Sequence, residues 1–296
     1  MAGNTEKGAQ NGKKKKKKLG KRMRRDGLVV GPSLKKKKKT KSEEEKQVPR
    51  TLENTREFDE TMVSPDDEEV LQDELHDEFA EHFSGKSEPK VIITTTRKPS
   101  LRMKKFAASL TAVVGADNAD YYKRKDATIK EIMEGGIERG YTDVVVIAES
   151  SKQFHSMTVV HLPNGPTAQF KLSNVQLPKE IRGHGNMTDH KPELILNNFN
   201  TRLGHTIGRM LASVFPSYPN FVGRRVITFH NQRDFVFFRH HRYIFDSEKK
   251  ARIQELGPRF TIKLKWLQHG LFDPHNGEYE WYFKKEIDTS RRRFFL

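Results

Sequence analysis

Hydrophobic residues recur along this chain at two spacings, every second position and every third or fourth, and the switch between them predicts its elements. The clearest alternation covers 259–267. Phe260, Ile262, Leu264 and Trp266 face one way and Arg259, Thr261, Lys263 and Lys265 the other, as on a strand with one buried face. The stretch 223–245 predicts a meander. Its first strand is 226–230, with Ile227 and Phe229 on one face. Asn231-Gln232-Arg233-Asp234 is a polar break of hairpin length, and 235–238 is the second strand. Arg239-His240-His241-Arg242 is a basic corner, and a third strand starts at Tyr243. Further strands are predicted at 91–95, 143–148, 193–197 and 281–283, and a hairpin at 156–162 and 167–172 around Pro163-Asn164-Gly165-Pro166. Helical spacing gives a segment capped by Ser100, with Met103, Phe106, Ala107, Leu110, Val113 and Val114 inward. Two more helices fall at 126–139 and 201–215. The element order, strand–helix–helix–strand–hairpin and then strand–helix–meander, suggests two similar α/β halves meeting at a polar, glycine-containing hinge at 181–191.

Charge divides the chain in a way hydropathy does not. Of the net charge of +16, residues 1–41 carry +15, residues 42–88 carry −13, and the remainder carries +14. The first segment holds three lysine- and arginine-rich clusters and too little apolar surface to bury, so it is expected to be disordered, serving as a nuclear address or an RNA-backbone arm. The second is acidic, with Leu71, Leu75 and Phe79 at spacing four, one apolar stripe on a helix suited to a protein contact. The third is the folded part and is itself basic, which points to a polyanion partner. Cysteine is absent, which removes disulfides, thiolate nucleophiles and cysteine-ligated metals. No apolar run reaches the length of a membrane helix, and no secretory leader is evident.

Catalytic signatures are missing from the pattern. Gly85-Lys86-Ser87 ends like a phosphate-binding loop, but Ala80 stands where its first glycine belongs. No GxGxxG, GxSxG or HExxH occurs, and the twelve histidines show no closed metal-ligand spacing. The expectation is a binding protein without cofactor or metal. Its RNA-contacting candidates fall in four groups. Arg259, Lys263 and Lys265 share the polar face of 259–267. Arg224, Arg225, Arg233, Arg239 and Arg242 mark the ends and turns of the meander. Arg97, Lys98, Arg102 and Lys105 surround a helix N-terminus. Arg202 and Arg209, with His205, form a polar stripe on the helix 201–215.

The meander GRRVITFHNQRDFVFFRHHRYIF resembles the central motif of the Brix family of ribosome-assembly factors. VIITTTRKPS, PELILNNF and ELGPRFTIKLKWLQHG resemble it too, so that the likeness extends over about 90–281. The resemblance implies a fold of two related α/β halves similar to the anticodon-binding domains of class II tRNA synthetases, placed at 89–183 and 184–296 behind the charged extensions 1–41 and 42–88. It implies a nucleolar, non-enzymatic factor of large-subunit (60S) assembly that binds precursor ribosomal RNA within a pre-60S particle, beside other assembly factors and a smaller dedicated partner protein, with no membrane involved. Two other readings stay open: a synthetase-like accessory RNA-binding module, which the fold resemblance supports, and an RNA-processing enzyme, which would need an inward cluster of carboxylates or a metal in the folded halves.

Overall fold

The computed structural model describes residues 49–51, 53–64, 67–248, 250–290 and 292–296. The basic tail at 1–41 and the acidic residues to 48 lie outside the described residues. The rest is organised by one sheet of eleven strands, ordered β2-β1-β3-β4-β5-β10-β8-β7-β6, with β11 on β10 and β9 on β8. Its first part is β1 (Val91–Thr95), α3 (Leu101–Val114), β2 (Ala119–Tyr122), α4 (Ile129–Glu138), β3 (Asp143–Ser150), β4 (Gln153–His161) and β5 (Thr167–Gln176). Its second is β6 (Glu193–Asn197), α5 (Arg202–Ser213), β7 (Arg225–Gln232), β8 (Phe235–Ser247), β9 (Lys250–Glu255), β10 (Arg259–Gln268) and β11 (Tyr279–Tyr282). Two short helices, α1 (Glu68–His76) and α2 (Ala80–Phe83), precede both. β1 pairs in parallel with β2 and β3, and β6 with β7; the other ladders are antiparallel. β10 pairs with β5, so the two parts share one continuous sheet.

The helices start where the sequence supplies a cap. The Ser100 side chain accepts from the Met103 amide and Thr201 from Gly204. α4 begins at Ile129 rather than 126, because Thr128 and Glu131 form a reciprocal capping box at that point. α3 and α5 lie on one face of the sheet and close a core that crosses both parts, from Met103 and Phe106 to Ile207, Phe238 and Phe260. Phe238 stacks on Phe260 with centroids 4.3 Å apart. α4 packs on the other face, where Ile132 and Met133 meet Ile92, Val144 and Val146. That arrangement leaves the second face of β5, β10 and β8 beyond the reach of α4.

Three sequence expectations are corrected here. The basic corner 239–242 is not a corner: β8 runs unbroken through it, each residue paired with Arg225, Val226, Ile227 or Thr228 on β7. The third strand of the meander is instead β9, whose residues are almost all exposed and carry no apolar alternation. β2, an edge strand of sequence ADYY, gave no periodic signal either. On β10 the alternation holds to Leu264, and then a bulge before Trp266 shifts it. Leu267 takes the core position, while Trp266 turns to the other face, donating to Gln169 and stacking on Phe272.

The acidic helix differs more. α1 stops at His76, so the spacing-four stripe does not continue to Phe79. Phe79 is 1% exposed and packs 4.8 Å from the His161 ring, in the protein's own core, whereas Leu71 and Leu75 are exposed. Of the three residues expected to meet a partner, Phe79 is taken by the fold.

Candidate nucleic-acid interface

Directly opposed residues on neighbouring strands point to the same face, so the register fixes what the open face carries. Lys263 of β10 lies opposite Phe235 of β8 on one side and Lys171 of β5 on the other. Thr261 lies opposite Phe237 and Ser173. The ammonium of Lys263 sits 4.9 Å from the Phe235 ring centroid and 4.5 Å from that of Phe283, just beyond β11. Lys265 is 5.4 Å from the same Phe283 ring, and Arg239 is 5.9 Å from Phe237. The face is therefore a row of ring faces and cations. Lys171 and Phe235 are exposed, and Phe237, Arg239, Lys263 and Lys265 half-buried.

The electrostatics of this face are unfavourable for the protein by itself. Two lysines directly opposite each other repel, which destabilises a sheet. Among the described residues, Lys171, Lys263 and Lys265 have no carboxylate within ion-pair distance, although the charge of Lys263 acts on the buried Asp234. Burial lowers the pKa of Arg239, Glu255 works against that, and nearby Arg259 adds to it. His241 is lowered for the same reasons, burial first. Among the described residues Arg259 alone of these cations has a carboxylate partner, Glu255 at 3.2 Å, while Arg239 donates to the Phe238 carbonyl. Cations held on aromatic faces and short of counter-charges suit a strand of phosphates with bases stacking alongside.

Of the fourteen predicted cations, Arg239, Arg259, Lys263 and Lys265 come together on this face. Lys171, Phe235, Phe237 and Phe283 were missed as members; Lys171 has a local signal only in the polar side of its strand, and Phe283 none. Arg225 is corrected outright. It is 1% exposed, and its guanidinium donates to the carbonyls of Thr188, His190 and Val113 and to His240 Nε2. His240 Nδ1 in turn donates to the Gly257 carbonyl, so this ring is neutral, its pKa lowered to about 3, chiefly by burial. Arg225 is lowered to about 10, again chiefly by burial. Arg224, its neighbour, is exposed, as is Arg233, which forms a two-residue turn with Asp234 at φ 55° and 62°.

The α5 stripe is also occupied. Arg202 meets Glu69 at 3.1 Å, His205 meets Glu74 at 2.7 Å, and Arg209 reaches both Asp77 oxygens and lies over the Phe83 ring at 4.1 Å. The acidic segment supplies a partner for each residue of the stripe, which removes Arg209 from any exposed cationic surface. Arg102 forms two hydrogen bonds with Glu180, lowering that carboxyl below its usual range, and a third with the Val175 carbonyl. The α3 N-terminus itself is no anion site: Glu149 accepts from both the amide and hydroxyl of Ser100 at 2.6 Å. Lys105 is exposed on the outer side of α3. Arg242 donates to the Asn186 carbonyl and Thr188, holding the hinge. Arg97 and Lys98, exposed just past the carboxyl end of β1, have no hydrogen-bond or ion-pair partner among the described residues.

A buried cluster of Asp143, His161 and Ser213 has the residue types of a nucleophilic triad but a different wiring. His161 Nδ1 faces Asp143 at 2.8 Å and its Nε2 faces the Glu78 carbonyl at 3.2 Å, while the Ser213 hydroxyl turns to Asp143 and the Met210 carbonyl. Burial would lower the His161 pKa, but the bond and charge of Asp143, with the Glu78 carbonyl, raise it overall. It is a strut that ties the acidic segment to β4. Among the described residues no group of three or more His, Asp or Glu is placed to hold a metal ion.

Comparison with known proteins agrees with the likeness read in the sequence. Ribosome production factor 1 of Xenopus laevis is 54% identical over 253 residues, which cover 85% of this chain and 73% of that protein. Its namesake in Mus musculus is 55% identical over the same length, covering 85% and 72%. A Brix domain-containing protein of Schizosaccharomyces pombe is 43% identical over 260 residues, covering 85% and 84%. Among solved structures, one titled as a "probable ribosomal biogenesis protein" from Aeropyrum pernix aligns at a TM-score of 0.45 and 17% identity, over 59% of this chain and 96% of that one. The Brix domain model matches residues 96–266, from the end of β1 to Trp266 on β10, more than half the chain, and the chain belongs to the Brix domain family.

Proposed function

We propose that this chain is a ribosome-assembly factor that binds precursor ribosomal RNA through the open face of β5, β10 and β8, without catalysing a reaction. The family and the names of its relatives support a role in ribosome biogenesis. One observation carries the RNA reading: Lys171 and Lys263 lie opposed on adjacent strands, neither paired with a carboxylate among the described residues, and Lys263 rests on two aromatic rings. A polyanion relieves that repulsion, and the rings Phe235 and Phe283 give bases a surface to stack on. The assembly context is the large-subunit precursor in the nucleolus, with a smaller protein partner whose contacts include exposed Leu71 and Leu75. The two halves, 89–183 and 184–296, act as one platform, and the tail 1–41 adds backbone affinity.

The test is RNA affinity at three salt concentrations for the wild type and for K171A/K263A/K265A. Each lost phosphate contact lowers the salt slope by about 0.7 for single-stranded RNA, so the triple variant is expected to lose about 2. An unchanged slope rejects this face as the interface.

A further inference from the structure

Three parallel strands end side by side in the first half of the chain. β1 lies between β2 and β3. It leads into α3 on one face of the sheet, while β2 leads into α4 on the other. The carboxyl end of β1 is thus the point where the crossovers part, and open sheets leave a ligand crevice there. Each of the three strand ends delivers a cation into that crevice: Arg97 and Lys98 after β1, Lys125 after β2, Lys152 after β3.

Among the described residues none of these four cations has a hydrogen-bond or ion-pair partner. Two carboxylates line the cleft against them, Asp126 and Glu149, the latter accepting from the Ser100 amide and hydroxyl at the start of α3, so the cations outnumber the acids four to two. The Thr96 hydroxyl, of a residue also lining the cleft, is buried and has no partner among the described residues. Ser151 and Lys152, at φ 51° and 63°, form the two-residue turn between β3 and β4, and Lys125 is left-handed at φ 48°. Arg124, beside them, has its pKa lowered by burial and by Arg97.

We propose that this cleft is a phosphate-binding site, separate from the sheet face, that takes one phosphate group among the loops following β1, β2 and β3. A compact anion with several oxygens answers every feature at once. It supplies charge to cations from three loops, and an acceptor both for the Arg97 guanidinium and for the orphan Thr96 hydroxyl. The phosphate belongs either to an RNA strand or to a small phosphorylated molecule.

The experiment uses the full chain and two variants. R97A/K98A empties one loop. K125N/K152N empties the other two while keeping a residue type that tolerates left-handed backbone. Binding is measured by calorimetry with inorganic phosphate, and by filter retention with a single-stranded RNA carrying a 5′-phosphate or a 5′-hydroxyl. Loss of two charge-assisted contacts is expected to weaken binding about tenfold or more in each variant. Weakened inorganic phosphate binding identifies a site for free phosphate groups. A drop confined to the 5′-phosphorylated RNA identifies a terminal phosphate, and an equal drop for both RNAs a backbone phosphate. K263A/K265A serves as the control and leaves inorganic phosphate binding unchanged if the two sites are separate. If both cleft variants bind inorganic phosphate and both RNAs as the wild type does, the proposal is overturned.

Discussion

Arg224 and Arg225 are adjacent and chemically identical, yet the fold gives them opposite fates, and replacing each with alanine separates stability from binding. Arg225 is buried and holds three carbonyls from two segments, Thr188 and His190 in the hinge and Val113 at the end of α3. Each hydrogen bond from a charged donor contributes about 1.5–3 kcal/mol, so three amount to roughly 4.5–9 kcal/mol. Against this stands the cost of keeping the guanidinium charged out of water. Its pKa is lowered from 12.5 to about 10, and such a shift corresponds to about 3 kcal/mol that R225A recovers. The difference predicts a loss of roughly 1–6 kcal/mol, centred near 3, because the carbonyls are left without donors. R224A removes an exposed cation and is expected to stay within about 0.5 kcal/mol. Urea unfolding of both variants, with RNA affinity measured under conditions where each is folded, checks this. An R225A protein that unfolds like the wild type but binds RNA weakly would contradict the buried reading and return Arg225 to the surface.

Two further predictions follow from the same geometry. His240 is neutral in the fold, with its pKa lowered to about 3 against 6.5 ordinarily, so its contribution is present above pH 6.5 and lost as pH falls. Between pH 7 and pH 5 this amounts to about 2 kcal/mol, and the H240Q variant, which cannot titrate, should show that much less loss of unfolding free energy. F79A opens a cavity beside His161 and is expected to cost about 3–5 kcal/mol, whereas L71A/L75A leaves the melting temperature nearly unchanged and weakens a protein contact in pull-down. Equal melting temperatures for the two would sink the division of that stripe.

The residues that were legible in the sequence are those whose role is set locally. Ser100 and Thr201 cap helices because a hydroxyl reaches an amide three residues on. β10 is readable because polar and apolar residues alternate over the six positions 259–264. What the sequence did not carry is register. Whether Arg224 or Arg225 turns inward depends on how β7 aligns with β8, and a step of one residue reverses every side chain. The 239–242 run looked like a corner because four basic residues in a row lack an apolar face, yet β7 and the buried Arg225–His240 bond make it strand. The α5 stripe was visible, but not the acidic helix that covers it, since Glu69, Glu74 and Asp77 lie more than 120 positions away in sequence. Phe283 and Lys171 reach the open face through strand pairing: β11 and β5 both pair with β10 and bring them to Lys263.

The most direct test of the open face as the RNA interface is ultraviolet crosslinking of the intact chain to precursor ribosomal RNA, with the linked peptides identified by mass. The account predicts crosslinks at Phe235, Phe237 and Phe283 and in peptides containing Lys171 and Lys263, all lost when K171A/K263A/K265A is used. Crosslinks confined to α5 and the acidic segment, with none on β5, β8 or β10, would contradict it.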